Sequence, residues 1–238
     1  MNTVNTANEL DVNTTTAAVD AAMYSRRSLR AFLPKPVPRE LLEGILRAAA
    51  RAPSGTNTQP WHVHVLQGRK RDELVEKVCA AFDAEQPQSP LEYHYYPEKF
   101  PEPYLARRRK VGWDLYGMLG IGKGDREKTR VQHRRNYELF DAPVALLFAI
   151  DRQLATGSFL DYGMFLENVM LAARARGLDT CPQAAWTDYN AIVREVIGLP
   201  PEHILVCGMA LGYADPDALV NTLVTERAPL EEFVRFYD

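Results

Sequence analysis

Residues 143–150 read PVALLFAI and residues 203–211 read HILVCGMAL, two nearly continuous apolar runs. Runs of this length and composition are typical of strands buried on both faces of a sheet. Residues 61–67, WHVHVLQ, alternate between apolar and polar side chains and predict a further strand. Helical patterns separate these runs and outnumber them, which predicts an α+β or α/β chain built around one central sheet.

The pattern between the two apolar strands predicts a long helix over residues 158–176. Its sequence leaves little polar face, so such a helix must be covered nearly all round. In a chain of this length, a partner subunit could supply part of that cover.

The domain organisation is predicted to be simple. Residues 1–13 are polar and predict a flexible N-terminal tail ahead of the first helix. No repeat or linker divides the remainder, so residues 14–238 are predicted to form a single domain. Within it, residues 83–136 are rich in Pro, Tyr, Arg and Gly and lack a regular period. Long segments of this kind are often lids, and we predict a substrate cap there, with some helix around residues 103–116.

The composition argues against several classes of protein. The chain is 46% hydrophobic and 25% charged with a net charge of −3, so we predict no nucleic-acid partner. No signal-peptide pattern is present, and no window approaches the roughly 18 consecutive apolar residues that span a bilayer, so we predict no membrane association. The widely spaced Cys79, Cys181 and Cys207 suit a reducing compartment, which predicts a cytoplasmic protein.

Two polar segments carry the first functional hints. Residues 26–30, RRSLR, place three arginines and a hydroxyl just after a helix. Guanidinium groups hold phosphate through paired, charge-assisted hydrogen bonds, although such a pentapeptide alone is more typical of a solvated turn. Residues 53–61, PSGTNTQPW, offer amide donors and acceptors that suit the edge of a heteroaromatic ring. Taken alone, this loop is more typical of one held by Asx-type turns.

Four motifs together resemble the FMN-dependent nitroreductase family, in particular its nitroaromatic and nitrobenzoate reductase branch. RRSLR comes first, PSGTNTQPW follows about 25 residues later, and residues 177–186, GLDTCPQAAW, and 226–233, ERAPLEEF, complete the order. The resemblance covers roughly residues 20–82 and 142–234 and omits the lid. It implies an α+β fold with a central mixed sheet flanked by helices. It also implies an intertwined homodimer with extended C-terminal tails and FMN at the interface.

The resemblance assigns cofactor contacts to three parts of the chain. The phosphate and ribityl grip comprises Arg26, Arg27, Ser28 and Arg30, with Arg227 as a late phosphate ligand. The loop offered to the flavin from the other subunit comprises Pro53, Ser54, Gly55, Asn57 and Gln59. The segment beside the flavin N5 and dimethylbenzene ring comprises Pro182, Gln183 and Ala184. No catalytic residue and no metal are assigned, because tightly but non-covalently bound FMN carries the chemistry.

The implied activity is reduction of nitroaromatic compounds with NAD(P)H by a ping-pong mechanism. The donor reduces FMN and leaves before the acceptor takes its place. One alternative is a reductive dehalogenase of halophenols, as in the iodotyrosine deiodinase branch, which carries a similar RRS…R and PSG…PW pattern. Others are a non-catalytic flavin-binding protein and an oxygen-dependent enzyme that fragments flavin.

The lid is strongly basic and aromatic. Residues 107–135 hold ten Lys and Arg against three acids. A solvated helix face is one explanation; another is that the patch attracts anionic partners such as NADPH or a carboxylated aromatic compound. Eight aromatic residues could roof the flavin or contact a substrate: Tyr93, Tyr95, Tyr96, Tyr104, Trp113, Tyr116, Tyr137 and Phe140. Trp113 and Tyr116 are our predicted substrate contacts.

Two other chemically suggestive features have ordinary explanations. His62 and His64 fall on one face of a predicted strand, but no carboxylate or cysteine joins them in sequence, so no metal site is predicted. Cys181 lies in the flavin-edge segment without a base beside it and is predicted to be a packed thiol.

Overall fold

A computed structural model describes residues 11–238, so residues 1–10 of the predicted tail lie outside the described residues. Four strands form one sheet in the order β1-β2-β4-β3. Their bounds are β1 His62–Gln67, β2 Val144–Asp151, β3 Asp179–Gln183 and β4 His203–Gly212. The helices are α1 Val12–Ser25, α2 Arg39–Ala49, α3 Gly68–Asp83, α4 Tyr104–Met118, α5 Arg126–Arg134, α6 Thr156–Arg174, α7 Asn190–Ile197 and α8 Leu230–Phe233.

The sheet is antiparallel at every strand pair, so the predicted mixed sheet is wrong for residues 11–238. Parallel pairing in this part of the chain is confined to an isolated bridge between Ser28 and Thr180. A continuous apolar run indicates that both faces of a strand are buried. The direction of the strand depends instead on where the connecting helices place its two ends. The sequence pattern therefore predicts β1, β2 and β4, but it predicts neither β3 nor the direction of the strands.

Strand β2 explains why its sequence is continuously apolar. Leu146 and Phe148 pack on one face of the sheet with α2 and α6, and Leu147 and Ala149 pack on the other face with α3 and α7. Successive side chains of a strand point to opposite faces. Both faces of this sheet are covered, so every position along the strand must be apolar, which confirms the predicted buried strand.

Helix α6 is only partly covered by its own chain. Tyr162, Phe165 and Val169 are buried against the sheet, whereas Leu160 is 72% exposed. Helix α1 lies against α6 but buries none of its own residues. The nearly complete cover expected for α6 is thus not supplied by the described part of the chain, and an apolar surface remains on this side.

The first helix begins at Val12, two residues before the predicted start of the domain at residue 14. Asp11 caps it, because its carboxylate accepts hydrogen bonds from the Asn13 N–H at 3.2 Å and from the Thr14 hydroxyl. A capping carboxylate satisfies N–H groups that the helix itself leaves free. This cap fixes the helix start ahead of the threonine-rich run.

The lid region is more regular than its sequence indicates. It contains α4, which agrees with the helix predicted around residues 103–116, and also α5, which the sequence did not predict. Tyr137 and Phe140, predicted as lid aromatics, are instead buried in the core. The Tyr137 ring packs edge-on against Trp186 and Tyr189, so this end of the segment belongs to the domain core.

Candidate functional site

The predicted phosphate motif lies along an edge of the sheet. After α1 ends, the chain runs past β3, where the Leu29 N–H donates to the Thr180 carbonyl at 3.1 Å. Leu29 is buried beneath this contact. Neighbouring side chains of an extended segment point to opposite sides, so Ser28 and Arg30 turn toward a cavity on the other side.

This arginine cavity has a volume of about 680 Å³. It contains every residue that the resemblance assigns to the phosphate grip: Arg26, Arg27, Ser28, Arg30 and Arg227. The first four follow α1, whereas Arg227 comes from the C-terminal tail. Residues about 200 positions apart in the chain therefore meet in one cavity.

A fifth arginine, Arg174, lines the arginine cavity and was missed by the sequence interpretation. It lies at the C-terminal end of α6, where its Nε donates to Ser25 Oγ at 2.9 Å. Its guanidinium also lies 3.2 Å from the Asp179 carboxylate. An arginine near the end of a predicted helix was visible in the sequence, but no spacing rule connects it with residues 150 positions earlier.

The cavity retains positive charge despite two ion pairs. Arg26 lies 3.3 Å from Glu167, and Arg174 pairs with Asp179. Burial raises the pKa of Asp179, and Arg174 and Arg27 oppose that shift. Within residues 11–238, Arg27 and Arg30 have no ion-pair partner. Several guanidinium groups around one space, with some of their charge uncompensated, fit the phosphate end of FMN.

The predicted flavin-edge segment borders a second cavity further along the same sheet edge. Pro182, Gln183 and Ala184 form part of its wall. We call this the aromatic cavity, because Tyr93, Tyr95 and Tyr96 also line it; its volume is about 500 Å³. Residues from the lid therefore meet the end of β3 here.

Both polar atoms of the Gln183 side chain are hydrogen-bonded within the protein core. Its Nε2 donates to the Asn136 carbonyl at 2.6 Å, and its Oε1 accepts from Trp186 Nε1 at 3.3 Å. Trp186 packs so closely on β4 that a Cβ at Gly208 would lie 2.3 Å from its ring. These contacts hold the flavin-edge segment in place. Because the Gln183 side chain is already hydrogen-bonded, only its backbone is available to contact a cofactor.

The loop predicted to meet the flavin is exposed and conformationally strained. Thr56, Asn57 and Gln59 have φ angles of 49°, 60° and 50°, in the left-handed region that is costly for side chains other than glycine. The loop is fixed at two points, where the Gly55 N–H donates to Asp161 Oδ2 at 3.1 Å and the Gln59 N–H donates to Ser54 Oγ at 3.0 Å. The chain thus holds this loop in one conformation although little of it is buried.

Within one chain the loop and the arginine cavity lie far apart. Asp161 anchors the loop near the N-terminal end of α6, and Arg174 lines the cavity at the other end of that helix. The two residues are thirteen positions apart, which corresponds to about 20 Å at the usual helical rise. None of Pro53, Ser54, Gly55, Asn57 or Gln59 lines the arginine cavity.

The C-terminal tail joins the lid beside the arginine cavity. Arg107 on α4 pairs with Glu232, and Lys110 lies 3.3 Å from Glu226. Val111, one position further along α4, lines the arginine cavity. The tail also contains helix α8, so it is not extended throughout as the sequence had indicated.

The two predicted substrate contacts lie on α4 outside both cavities. Trp113 is 70% exposed, and Tyr116 is half-buried. Neither lines the arginine cavity or the aromatic cavity. Their contact with a substrate stays a prediction.

Burial and ring stacking account for the cysteine and for one of the histidines that the sequence singled out. Cys181 is buried, as predicted, and burial raises its pKa to about 11. His62 stacks on His203 with ring centroids 4.1 Å apart. Among the described residues, no three His, Cys, Asp or Glu side chains are grouped to hold a metal ion. Within residues 11–238, no helix is both long and apolar enough to cross a membrane.

The β3 edge of the sheet thus carries an arginine cavity at one end and an aromatic cavity at the other, an arrangement that suits a flavin-binding enzyme. The chain belongs to the nitroreductase family, whose family model matches residues 23–213. This agrees with the resemblance drawn from the four motifs.

Individual relatives narrow the comparison. The chain is 40% identical over 222 residues to a chloronitrobenzene nitroreductase of Comamonas testosteroni, covering 93% of this chain and 98% of that protein. It is 40% identical over 217 residues to a 4-nitrobenzoate reductase of Pseudomonas putida, covering 91% and 94%. Its fold matches the crystal structure of the FMN-dependent nitroreductase NfnB of Mycobacterium smegmatis in complex with NADPH, with a TM-score of 0.90 at 32% identity and coverage of 94% and 100%.

Proposed function

We propose that this protein is an FMN-dependent oxidoreductase that uses NAD(P)H to reduce nitroaromatic compounds. The observation that carries the proposal is the arginine cavity, where Arg26, Arg27, Arg30, Arg174 and Arg227 surround one space beside the sheet edge. Similarity to proteins named for nitroaromatic reduction supports this activity over dehalogenation, flavin storage or flavin breakdown. The chemistry supplied by bound FMN is electron transfer from a nicotinamide donor to the nitro group.

The protein's own residues bind and orient rather than exchange protons. Arg27 and Arg30 hold the phosphate, and Arg174 and Arg26 are kept in position by Asp179 and Glu167. Pro182, Gln183 and Ala184 at the end of β3 would border the flavin ring, next to the aromatic cavity. That cavity would take the donor and the acceptor in turn, as a ping-pong mechanism requires.

The proposed active unit is a homodimer. The strained loop of residues 53–59 lies too far from the arginine cavity of its own chain, so the loop of a second subunit completes each site. Two apolar surfaces support this proposal. The first is the outer side of α1 and α6, which includes Leu160, and the second is the C-terminal tail, where Phe236 and Tyr237 are exposed. Contact with a second subunit buries such surfaces.

The remaining predictions are part of the same proposal. Residues 14–238 form one FMN-binding domain, and the family match to residues 23–213 supports this extent. Residues 83–136 form the cap, which the lid residues in the aromatic cavity support. The three cysteines are free thiols in the described structure, in keeping with a protein of the reducing cytoplasm.

Anaerobic spectroscopy tests the activity directly. The purified protein is expected to be yellow, to bleach with NAD(P)H, and to recolour on addition of a nitrobenzoate or nitrophenol. A parallel set of halophenols tests the alternative, since dehalogenation releases halide whereas nitro reduction gives hydroxylamine or amine. A bound flavin that NAD(P)H does not bleach, or that only halophenols reoxidise, would refute the proposal.

A further inference from the structure

The basic lid is mostly neutralised by local ion pairs. Of the ten Lys and Arg in residues 107–135, six have an acidic partner within 4.0 Å. These six are Arg107, Lys110, Lys128, Arg130, Arg134 and Arg135. A general electrostatic attraction by the whole patch is therefore weak, and an anion would be bound by one of the four cations that stay free of acids in residues 11–238.

Arg108 stands out among the remaining four. Its guanidinium carbon lies 5.1 Å from the Tyr96 ring centroid and 4.6 Å from that of Phe100. Contact with aromatic faces orients a guanidinium group while leaving its N–H donors available. Arg108 also lines the aromatic cavity, whereas Arg109 and Lys123 line none of the cavities described here.

The end of β3 forms another part of the wall of this cavity. Arg108 thus shares one space with Pro182 and Ala184, the segment that the proposed function places beside the reactive edge of the flavin. The volume of about 500 Å³ lies within the range typical of small-molecule sites. A planar acceptor in this space has aromatic rings along its faces and one oriented cation available to it.

We propose that Arg108 binds the carboxylate of an aromatic acceptor, so that nitrobenzoates are preferred over uncharged nitroarenes. This inference rests on the proposed function and assigns a substrate class to the same site. Guanidinium and carboxylate groups form charge-assisted hydrogen bonds that are about twice as strong as neutral ones. The acceptor's ring packs among Tyr93, Tyr95 and Tyr96, with the nitro group toward the flavin.

Asp188, His133 and His94 are the other acidic and imidazole side chains that line the cavity. Asp188 also lines it, but its carboxylate lies 3.3 Å from the Tyr137 hydroxyl, on the core side, and burial raises its pKa. His133 stacks near Phe82 and Tyr137, on the same core side. His94, the remaining histidine of the wall, comes from the tyrosine-bearing loop rather than from α4. Arg108 is the cavity's guanidinium group.

The test compares two acceptors on the FMN-loaded enzyme. The ratio of kcat/KM for 4-nitrobenzoate to kcat/KM for nitrobenzene is measured for the wild type, for Arg108→Gln and for the control Arg109→Gln. We expect Arg108→Gln to lower the ratio about tenfold, mainly through KM, because one charge-assisted contact is lost. Arg109→Gln carries the same change of charge on the neighbouring residue, and we expect it to leave the ratio within about twofold of wild type.

Equilibrium binding gives a second measurement that does not depend on turnover. Benzoate titrated into the FMN-loaded protein perturbs the flavin spectrum, and its Kd should rise about tenfold in Arg108→Gln and recover in part in Arg108→Lys. An unchanged ratio together with an unchanged benzoate Kd would overturn the inference.

The phosphate of NADPH is another anion that Arg108 could bind. A comparison of NADPH with NADH as the donor distinguishes this role from carboxylate binding. If Arg108→Gln alters the NADPH-to-NADH preference in the reductive half-reaction but not the nitrobenzoate ratio, the carboxylate assignment is wrong. If neither acceptor is reduced by the wild type, the proposed function itself fails. Reduction of both acceptors with no effect of Arg108 overturns only this inference.

Discussion

The two ends of helix α6 carry two different halves of the proposed flavin site. At the C-terminal end, Arg174 and the residues after α1 form a cavity held by contacts between distant parts of one chain. At the N-terminal end, Asp161 holds a strained, exposed loop through the Gly55 N–H. Residues of one chain line the arginine cavity, whereas the loop of residues 53–59 does not reach that cavity in its own chain. In the proposed homodimer, each subunit supplies a phosphate grip to its own site and a loop to its partner's site.

The largest expected effect is at the phosphate end. Arg27→Ala removes a guanidinium group that has no acidic partner in residues 11–238, so its charge is available to phosphate. Loss of a charge-assisted contact of about 1.5–3 kcal/mol should weaken FMN binding by roughly 10- to 100-fold and yield folded, colourless protein. Flavin absorbance per chain and circular dichroism measure both properties. Arg47→Ala, an exposed arginine on α2, is the control, and full FMN occupancy in Arg27→Ala would refute the assignment.

A complementation experiment tests whether the two halves come from different subunits. One chain carries Arg27→Ala, and the other carries Asn57→Ala with Gln59→Ala. Each homodimer should lose most of its FMN. A mixed dimer combines the intact arginines of one chain with the intact loop of the other, so it should regain one working site.

The mixed dimer is purified with two different affinity tags, and its FMN content is compared with that of wild type. We expect about half the wild-type FMN per chain. If the loop served its own chain, both sites of the mixed dimer would be damaged, and it would stay as pale as its parents.

A smaller effect is expected at the loop anchor. Asp161→Ala removes the acceptor of the Gly55 N–H, so only the Gln59–Ser54 hydrogen bond still opposes relaxation of the strained φ angles that follow. One hydrogen bond of about 1 kcal/mol corresponds to a roughly fivefold rise in the Kd for FMN. Titration of the apoprotein measures this, with Asp161→Asn as the control because its amide oxygen can still accept. Equal affinity in all three proteins would show that the anchor does not set the loop's conformation.

The smallest effect concerns pH at the loop end of the molecule. Burial, reinforced by repulsion from His203, lowers the pKa of His62 and His64 in the folded state. The unfolded chain therefore binds more protons below about pH 6.5, and the free energy of unfolding falls as the pH drops through that range. Urea unfolding at about pH 7.5 and 5.5 measures the slope, which His64→Gln should flatten. A variant as acid-sensitive as wild type would assign the slope to other groups.

Sequence reasoning grouped Arg26, Arg27, Ser28 and Arg30 of the arginine cavity because they lie within five consecutive residues. RRSLR is a local motif, and Arg227 was found only because a family pattern contains it. Arg174 was not predicted, because its place in the arginine cavity depends on α6 packing beside the end of α1. Its hydrogen bond to Ser25 joins residues about 150 positions apart. Gln183 was assigned to the flavin, but its side chain hydrogen-bonds Asn136 and Trp186. A sequence does not reveal which way a side chain at the end of a strand turns.

The sequence by itself determined three of the four strands, β1, β2 and β4, together with the long helix α6 and the family, because apolar runs and consecutive polar motifs are local properties of the chain. Strand β3, with the sequence DTCPQ, lacks such a run and was not predicted. Tertiary structure alone decided that the sheet is antiparallel, that most lid cations are paired, and that Arg108 lines the same cavity as the flavin-edge segment. It also decided that the loop and the arginine cavity lie about 20 Å apart along α6. The physical reason is that direction, pairing and distance depend on how separate elements pack, and no local pattern specifies that packing.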